Sequence, residues 1–216
     1  MNQAIIFDMD GVLINSQPVH YEADKICLRE IGVQADDDYI ESLAGTTTPN
    51  RFHLYQKKYE FQADISKLAQ RREEITMNIF RNQGVDGIDG AIKLLKDCYK
   101  NGMLTAVASS SPYDMICLIL EQLSISKYFK EIVSGEGLEK GKPAPDIFLL
   151  TANMLSVSPL HCVVIEDSTS GVAAAVTANM KVIGYKNETS GEQDLTKADL
   201  IVDSFEKIEY ETVKNL

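Results

Sequence analysis

Two pairs of acids stand where apolar runs end. Ala4–Phe7 leads into Asp8, Met9 and Asp10, and Cys162–Ile165 leads into Glu166 and Asp167. A third run closes on Ser109, Ser110 and Ser111, and Lys142 sits in the segment GKPAPDIF. Burying neighbouring carboxylates is unfavourable, because like charges repel and desolvation penalises each of them. Such acids either cap a solvated turn or act together. A hard divalent cation offsets the repulsion, and oxygen ligands favour Mg²⁺. One aspartate can then attack phosphorus and form an aspartyl-phosphate. A second, two residues on, can protonate the leaving oxygen and later activate water. Ser109 can donate hydrogen bonds to phosphoryl oxygens and Lys142 can neutralise developing charge. Asp167 can complete the metal shell, with Glu166 binding or supporting it.

The elements that must hold these groups can be read from periodicity. Short apolar runs without alternation recur at Ala4–Phe7, Met103–Ser109, Glu131–Gly135, Cys162–Ser168, Lys181–Tyr185 and Leu200–Ser204. Runs of this kind are strands buried on both faces, the parallel-sheet pattern. Helical spacing falls between them, over Gly90–Gly102, Asp114–Ile125, Pro145–Val157 and Ser170–Met180. Alternating strands and helices predict an α/β fold, a doubly wound parallel sheet. Ligands of such sheets bind at the carboxyl ends of the strands, where the acids, serines and lysine fall. The stretch 16–83 breaks the rhythm with helical patterns and no convincing strand. It is expected to be a small all-helical domain inserted after the first strand. Residues 1–15 and 84–216 would then form the α/β core.

Composition limits the partners. The 216 residues carry a net charge of −11, which argues against a sequence-independent grip on nucleic acid or an anionic membrane. No apolar stretch approaches the length of a membrane span, and the first residues lack a basic, signal-like region. The four cysteines, Cys27, Cys98, Cys117 and Cys162, are widely spaced and form no CxxC, as expected of small core residues in a reducing compartment. A cytoplasmic, monomeric protein acting on a small metabolite fits this profile.

The segments DMDGVLINS, VASSSP, GKPAPDIF and VVIEDSTSGVAAA, in that order, resemble the four motifs of the haloacid dehalogenase superfamily. The helical insert resembles its C1-type cap, and the likeness is greatest to the β-phosphoglucomutase and sugar-phosphatase branch. The resemblance spans essentially the whole chain. It implies Asp8 as nucleophile, Asp10 as acid/base, and Ser109, Ser110 and Lys142 as phosphoryl ligands. It also implies Mg²⁺ held by Asp8, the Asp10 carbonyl and Asp167, with Glu166 at or near the metal. The namesake dehalogenases lack the second aspartate, so Asp10 points to phosphoryl transfer on a small phosphorylated metabolite.

Each motif has a plainer reading. The DMDG turn hints at a calcium loop, but the further acid and the closing glutamate are missing. The segment GEGLEKGK fails both phosphate-loop spacings. Ser111 is expected to cap the helix that follows Pro112. His20 begins the insert, where this branch places a histidine linked to cap closure, in mutases and phosphatases alike. Mutases of the branch also carry an arginine in a cap loop, four residues from a glycine counted inclusively. Here that loop is Gly45-Thr46-Thr47-Thr48-Pro49-Asn50-Arg51, so Thr48 occupies the arginine's place and Arg51, three residues on, could compensate only with a different loop shape; the resemblance makes His20, Thr48 and Arg51 the cap's candidate substrate or phosphate contacts. The departure favours a phosphatase over a β-phosphoglucomutase-type isomerase. A non-catalytic phosphate-binding relative would have no need to keep Asp8, Asp10 and Asp167 together.

Overall fold

The computed structural model describes residues 1–216. The chain divides into two compact units, Met1–Asn15 with Val85–Leu216, and Ser16–Gly84.

The first unit is built on six strands: β1 (Ala4–Phe7), β2 (Leu104–Ser109), β3 (Glu131–Ser134), β4 (Cys162–Glu166), β5 (Lys181–Tyr185) and β6 (Leu200–Val202). They form one sheet in the order β3-β2-β1-β4-β5-β6, with every neighbouring pair parallel. The helices of this unit are α5 (Asp89–Lys100), α6 (Tyr113–Gln122), α7 (Asp146–Leu155), α8 (Thr169–Thr177) and α9 (Tyr210–Asn215). Ala4, Ile6, Ala106, Ala108 and Val164 pack with α7 and α8 on one face of the sheet. The alternate residues Ile5, Phe7, Val107, Val163 and Ile165 are equally buried. Both faces are therefore covered, which is why the strands are continuous apolar runs. The doubly wound parallel sheet expected from the sequence is the observed fold. β4 and β6 end two residues earlier than their apolar patterns do, because the chain turns once the ladder to the neighbouring strand stops.

The second unit holds α1 (Gln17–Glu30), α2 (Asp37–Ser42), α3 (Thr48–Tyr59) and α4 (Ile65–Gln83). Asp36 accepts from the Tyr39 N–H to cap α2, and Asp64 accepts from the N–H groups of Ser66 and Lys67 to cap α4. Pro18 and Pro49 stand in the first turns of α1 and α3, where their missing N–H costs nothing. Ala23, Cys27, Leu28, Ile40, Phe52, Tyr55 and Ile75 give the four helices a core of their own. Cys27, Cys98 and Cys162 are buried, and none of the four cysteines is in a disulfide. No helix is long and apolar enough to cross a membrane.

Candidate active site

β1 is the central strand, and the order of connection reverses on either side of it, toward β2 one way and β4 the other. Ligands of open α/β sheets bind at this switch point, beyond the carboxyl ends. Phe7 pairs with Val107 and Ile165, so the three strands deliver Asp8, Ser109 and Glu166 to one edge. The Asp8 N–H donates to the Ile165 carbonyl at 3.0 Å, which carries the ladder one residue past β1 and holds Asp8 in place.

Lys142 links the two acidic ends. Its Nζ donates to Asp8 Oδ1 at 2.6 Å and to Glu166 Oε1 at 2.7 Å. It also reaches the Ala108 carbonyl at 3.4 Å and lies 5.0 Å from the centre of the Phe148 ring. Glu166 Oε2 accepts from both the N–H and the hydroxyl of Ser168, each at 2.9 Å. The same hydroxyl accepts from Gly171 N–H at 3.0 Å and so caps α8. Both Glu166 oxygens are thus engaged by protein groups. Gly171 is required here, since a Cβ at that position would fall on the Glu166 carboxylate.

Asp167 accepts from the buried Ser190 hydroxyl, which a short turn, Glu188–Ser190, brings in from 23 residues along the chain. Gly11 has φ +80°, and a Cβ on it would fall on the Asp167 carboxylate. Only glycine meets both demands. The Asn187 side chain donates to the Gly11 carbonyl at 2.8 Å and fastens this turn to the segment carrying Ser190. Asp10 Oδ2 accepts from Ser111 Oγ at 2.9 Å and from Ser109 Oγ at 3.4 Å. Asp8 therefore meets the Lys142 ammonium, while two serine hydroxyls reach Asp10 Oδ2.

The charges do not balance. Burial pushes the Asp8 carboxyl well above its ordinary range. Lys142 opposes this, but Glu166, Asp167 and Asp10 reinforce it. Burial and Glu166 push Asp167 up to about 7, against the pull of Ser190 and Lys142. Burial also disfavours the Lys142 ammonium, yet Asp8 and Glu166 outweigh that and hold it above an ordinary lysine. Asp8 and Glu166 thus share one ammonium, and Asp167 and Asp10 lie near enough to add to the negative charge. Carboxylate oxygens of Asp8, Glu166 and Asp167 lie within 4.8 Å of one another. Hard oxygen donors with surplus negative charge fit Mg²⁺.

Ser110, in the middle of the serine run, is exposed. Ser111 does not cap α6 as its position suggests. The helix starts after Pro112 without a side-chain cap, and the Ser111 hydroxyl is turned to Asp10 instead. His20, Thr48 and Arg51 belong to the helical unit. His20 lies in the first turn of α1, its N–H donating to the Ser16 carbonyl at 3.0 Å, and Thr48 opens α3. Arg51 is buried, its guanidinium donating to Asp24 Oδ2 at 3.0 Å and to the Thr46 carbonyl at 2.9 Å. Sequence reading missed Ser190, Asp24 and the role of Ser111. Ser168 was accessible, being an N-cap residue type between a strand and a helix. Ser190 has no such local signal.

Comparison with known proteins settles the family. The model of the haloacid dehalogenase-like hydrolases matches residues 5–185. The chain belongs to this family. It is 32% identical to the β-phosphoglucomutase of Bacillus subtilis, over 93% of this chain and 88% of that one. It is 30% identical to a phosphorylated carbohydrates phosphatase of Thermotoga maritima, over 84% and 83% of the two chains. It also matches SUPPRESSOR OF QUENCHING 1 of Arabidopsis thaliana at 36% identity, over 87% of this chain but only 18% of that much longer one. Among solved structures, a β-phosphoglucomutase from Clostridium difficile superposes with a TM-score of 0.80 at 30% identity, covering 100% of this chain and 96% of that one.

Proposed function

We propose that this hydrolase is a Mg²⁺-dependent phosphatase of small phosphomonoesters, sugar phosphates in particular, working through an aspartyl-phosphate on Asp8. The observation that carries the reading is the unlike setting of the two aspartates, Asp8 against Lys142 and Asp10 against serine hydroxyls. In the first step an Asp8 oxygen bonds to phosphorus while the bond from phosphorus to the alcohol oxygen breaks. Asp10 gives its proton to that oxygen, so a neutral alcohol leaves. In the second step Asp10, now a carboxylate, takes a proton from water. The water oxygen bonds to phosphorus, Asp8 is released and inorganic phosphate forms. Ser109 and Lys142 hold the phosphoryl oxygens. Asp8, Asp167 and the Asp10 carbonyl would hold Mg²⁺, which would supply positive charge against the crowded carboxylates and the phosphoryl group. Glu166 is bound by Lys142 and Ser168, which supports a role in orienting the lysine.

The helical unit 16–83 is proposed as the cap that selects the substrate, with His20 and Thr48 among its substrate contacts. Arg51 is not assigned that role, because it is buried and three of its five N–H donors are held by Asp24 and Thr46. With threonine at position 48 and Arg51 so engaged, a second phosphate has no arginine in this loop to grip it, which favours hydrolysis over phosphoglucomutase action. The test is a panel of sugar phosphates with Mg²⁺. Release of inorganic phosphate is expected. Conversion of β-glucose 1-phosphate to glucose 6-phosphate with little phosphate released would replace this reading with the mutase.

A further inference from the structure

The serine run carries a second function in its third member. Ser111 follows β2 at the place where a hydroxyl usually caps the next helix, yet its Oγ donates to Asp10 Oδ2 at 2.9 Å. Ser109 Oγ stands farther from the same oxygen, at 3.4 Å, and itself accepts from Ser111 N–H at 3.0 Å. Ser111 is in turn held by the neighbouring strand. Ser134 Oγ donates to the Ser111 carbonyl at 2.7 Å and accepts from Glu136 N–H at 3.0 Å. Ser134 is fixed in register opposite Ser109. A chain of hydrogen bonds therefore runs from β3 through Ser111 to the Asp10 carboxylate.

We propose that Ser111 is the positioning residue of the proton-transfer step, an inference that rests on the phosphatase reading above. A general acid works only while its proton lies within hydrogen-bond reach of the leaving oxygen. The Asp10 side chain has two rotatable bonds, and one donated hydrogen bond to Oδ2 restricts both. With Oδ2 accepting from Ser111, the proton travels from Oδ1 to the departing alcohol, and Asp10 is left as a carboxylate. A poor leaving group such as a sugar alkoxide needs that proton. A good one such as p-nitrophenolate departs without it.

The experiment measures kcat/KM, which reports transfer to Asp8 and not the later hydrolysis. The substrates are p-nitrophenyl phosphate and a hexose phosphate that the wild type hydrolyses. Ser111→Ala is expected to lose about tenfold or more on the hexose phosphate and less than about threefold on p-nitrophenyl phosphate, a part of what general acid catalysis supplies. Ser111→Thr, which keeps the hydroxyl, restores the hexose phosphate rate. If Ser111→Ala does not fold, as circular dichroism would report, Ser111→Cys offers a weak donor of similar size for the same comparison. Equal losses on both substrates, or no loss on either, overturn the proposal and leave the phosphatase reading standing. A wild type that releases phosphate from neither substrate overturns that reading, and the role of Ser111 with it.

Discussion

Each unit of the molecule buries one cluster of charge, and the two are built on opposite principles. In the helical unit, fully buried Asp24 stands between two arginines. Its oxygens accept from Arg72 Nε at 2.7 Å, from Arg51 at 3.0 Å and from the Tyr55 hydroxyl at 2.9 Å. Burial and Asp24 push the Tyr55 hydroxyl far above its ordinary range, so it stays a donor. The anion is surrounded by donors, and Arg51 gives two more of its own to Thr46. In the α/β unit, Asp8 and Glu166 share one lysine while Asp167 and Asp10 add negative charge nearby, and Asp8 and Asp167 are held above their ordinary values. A cluster that satisfies itself holds elements together, whereas one left with surplus charge is arranged for something not yet bound.

That contrast can be broken most directly at Asp8. Asp8→Asn should lower turnover at least about 10³-fold while costing no thermal stability. The sign follows from burial. A carboxyl held above its ordinary value destabilises the fold at neutral pH, and a neutral isostere removes that cost. Near-normal phosphate release would contradict the first half, and a large fall in melting temperature the second. Asp24→Ala should do the reverse. It leaves two buried guanidinium groups without their anion, and urea unfolding should show a loss of about 3–4 kcal/mol. A loss below about 1 kcal/mol would mean that the Asp24 cluster is not the structural one.

Metal should act on only one of the clusters. Mg²⁺ at a hundredfold excess over its Kd is expected to stabilise the protein by about 2.7 kcal/mol. A chelator should reverse the rise in melting temperature, and Asp167→Asn should abolish it; a rise that survives Asp167→Asn would place the ion elsewhere. The smallest effect belongs to Ser190, which touches Asp167 and no other acid of the cluster. Ser190→Ala should weaken Mg²⁺ binding about tenfold by calorimetry, and Ser190→Thr should keep most of it. Unchanged affinity in Ser190→Ala would show that Asp167 needs no such support.

Much of this protein was legible without coordinates. That Asp8, Ser109, Lys142, Glu166 and Asp167 would gather at one edge of the sheet could be read because each lies at the end of a buried apolar run or in a recognisable motif. The parallel sheet was legible for the same reason, since strands covered on both faces leave uninterrupted apolar stretches. These are local properties, written in neighbouring residues.

What needed the tertiary structure is which polar groups meet across distance. Arg51 reads as a substrate ligand in a loop, and only the packing of α1 against α3 and α4 hands it to Asp24. Ser111 reads as a helix cap, and only the register of β2 with β3 and the turn at Gly11 bring its hydroxyl to Asp10. Ser190 lies 23 residues from the acid it supports. A side chain's type tells what it can donate or accept. The fold decides its partner, because a buried donor must take whichever acceptor the packed chain places beside it.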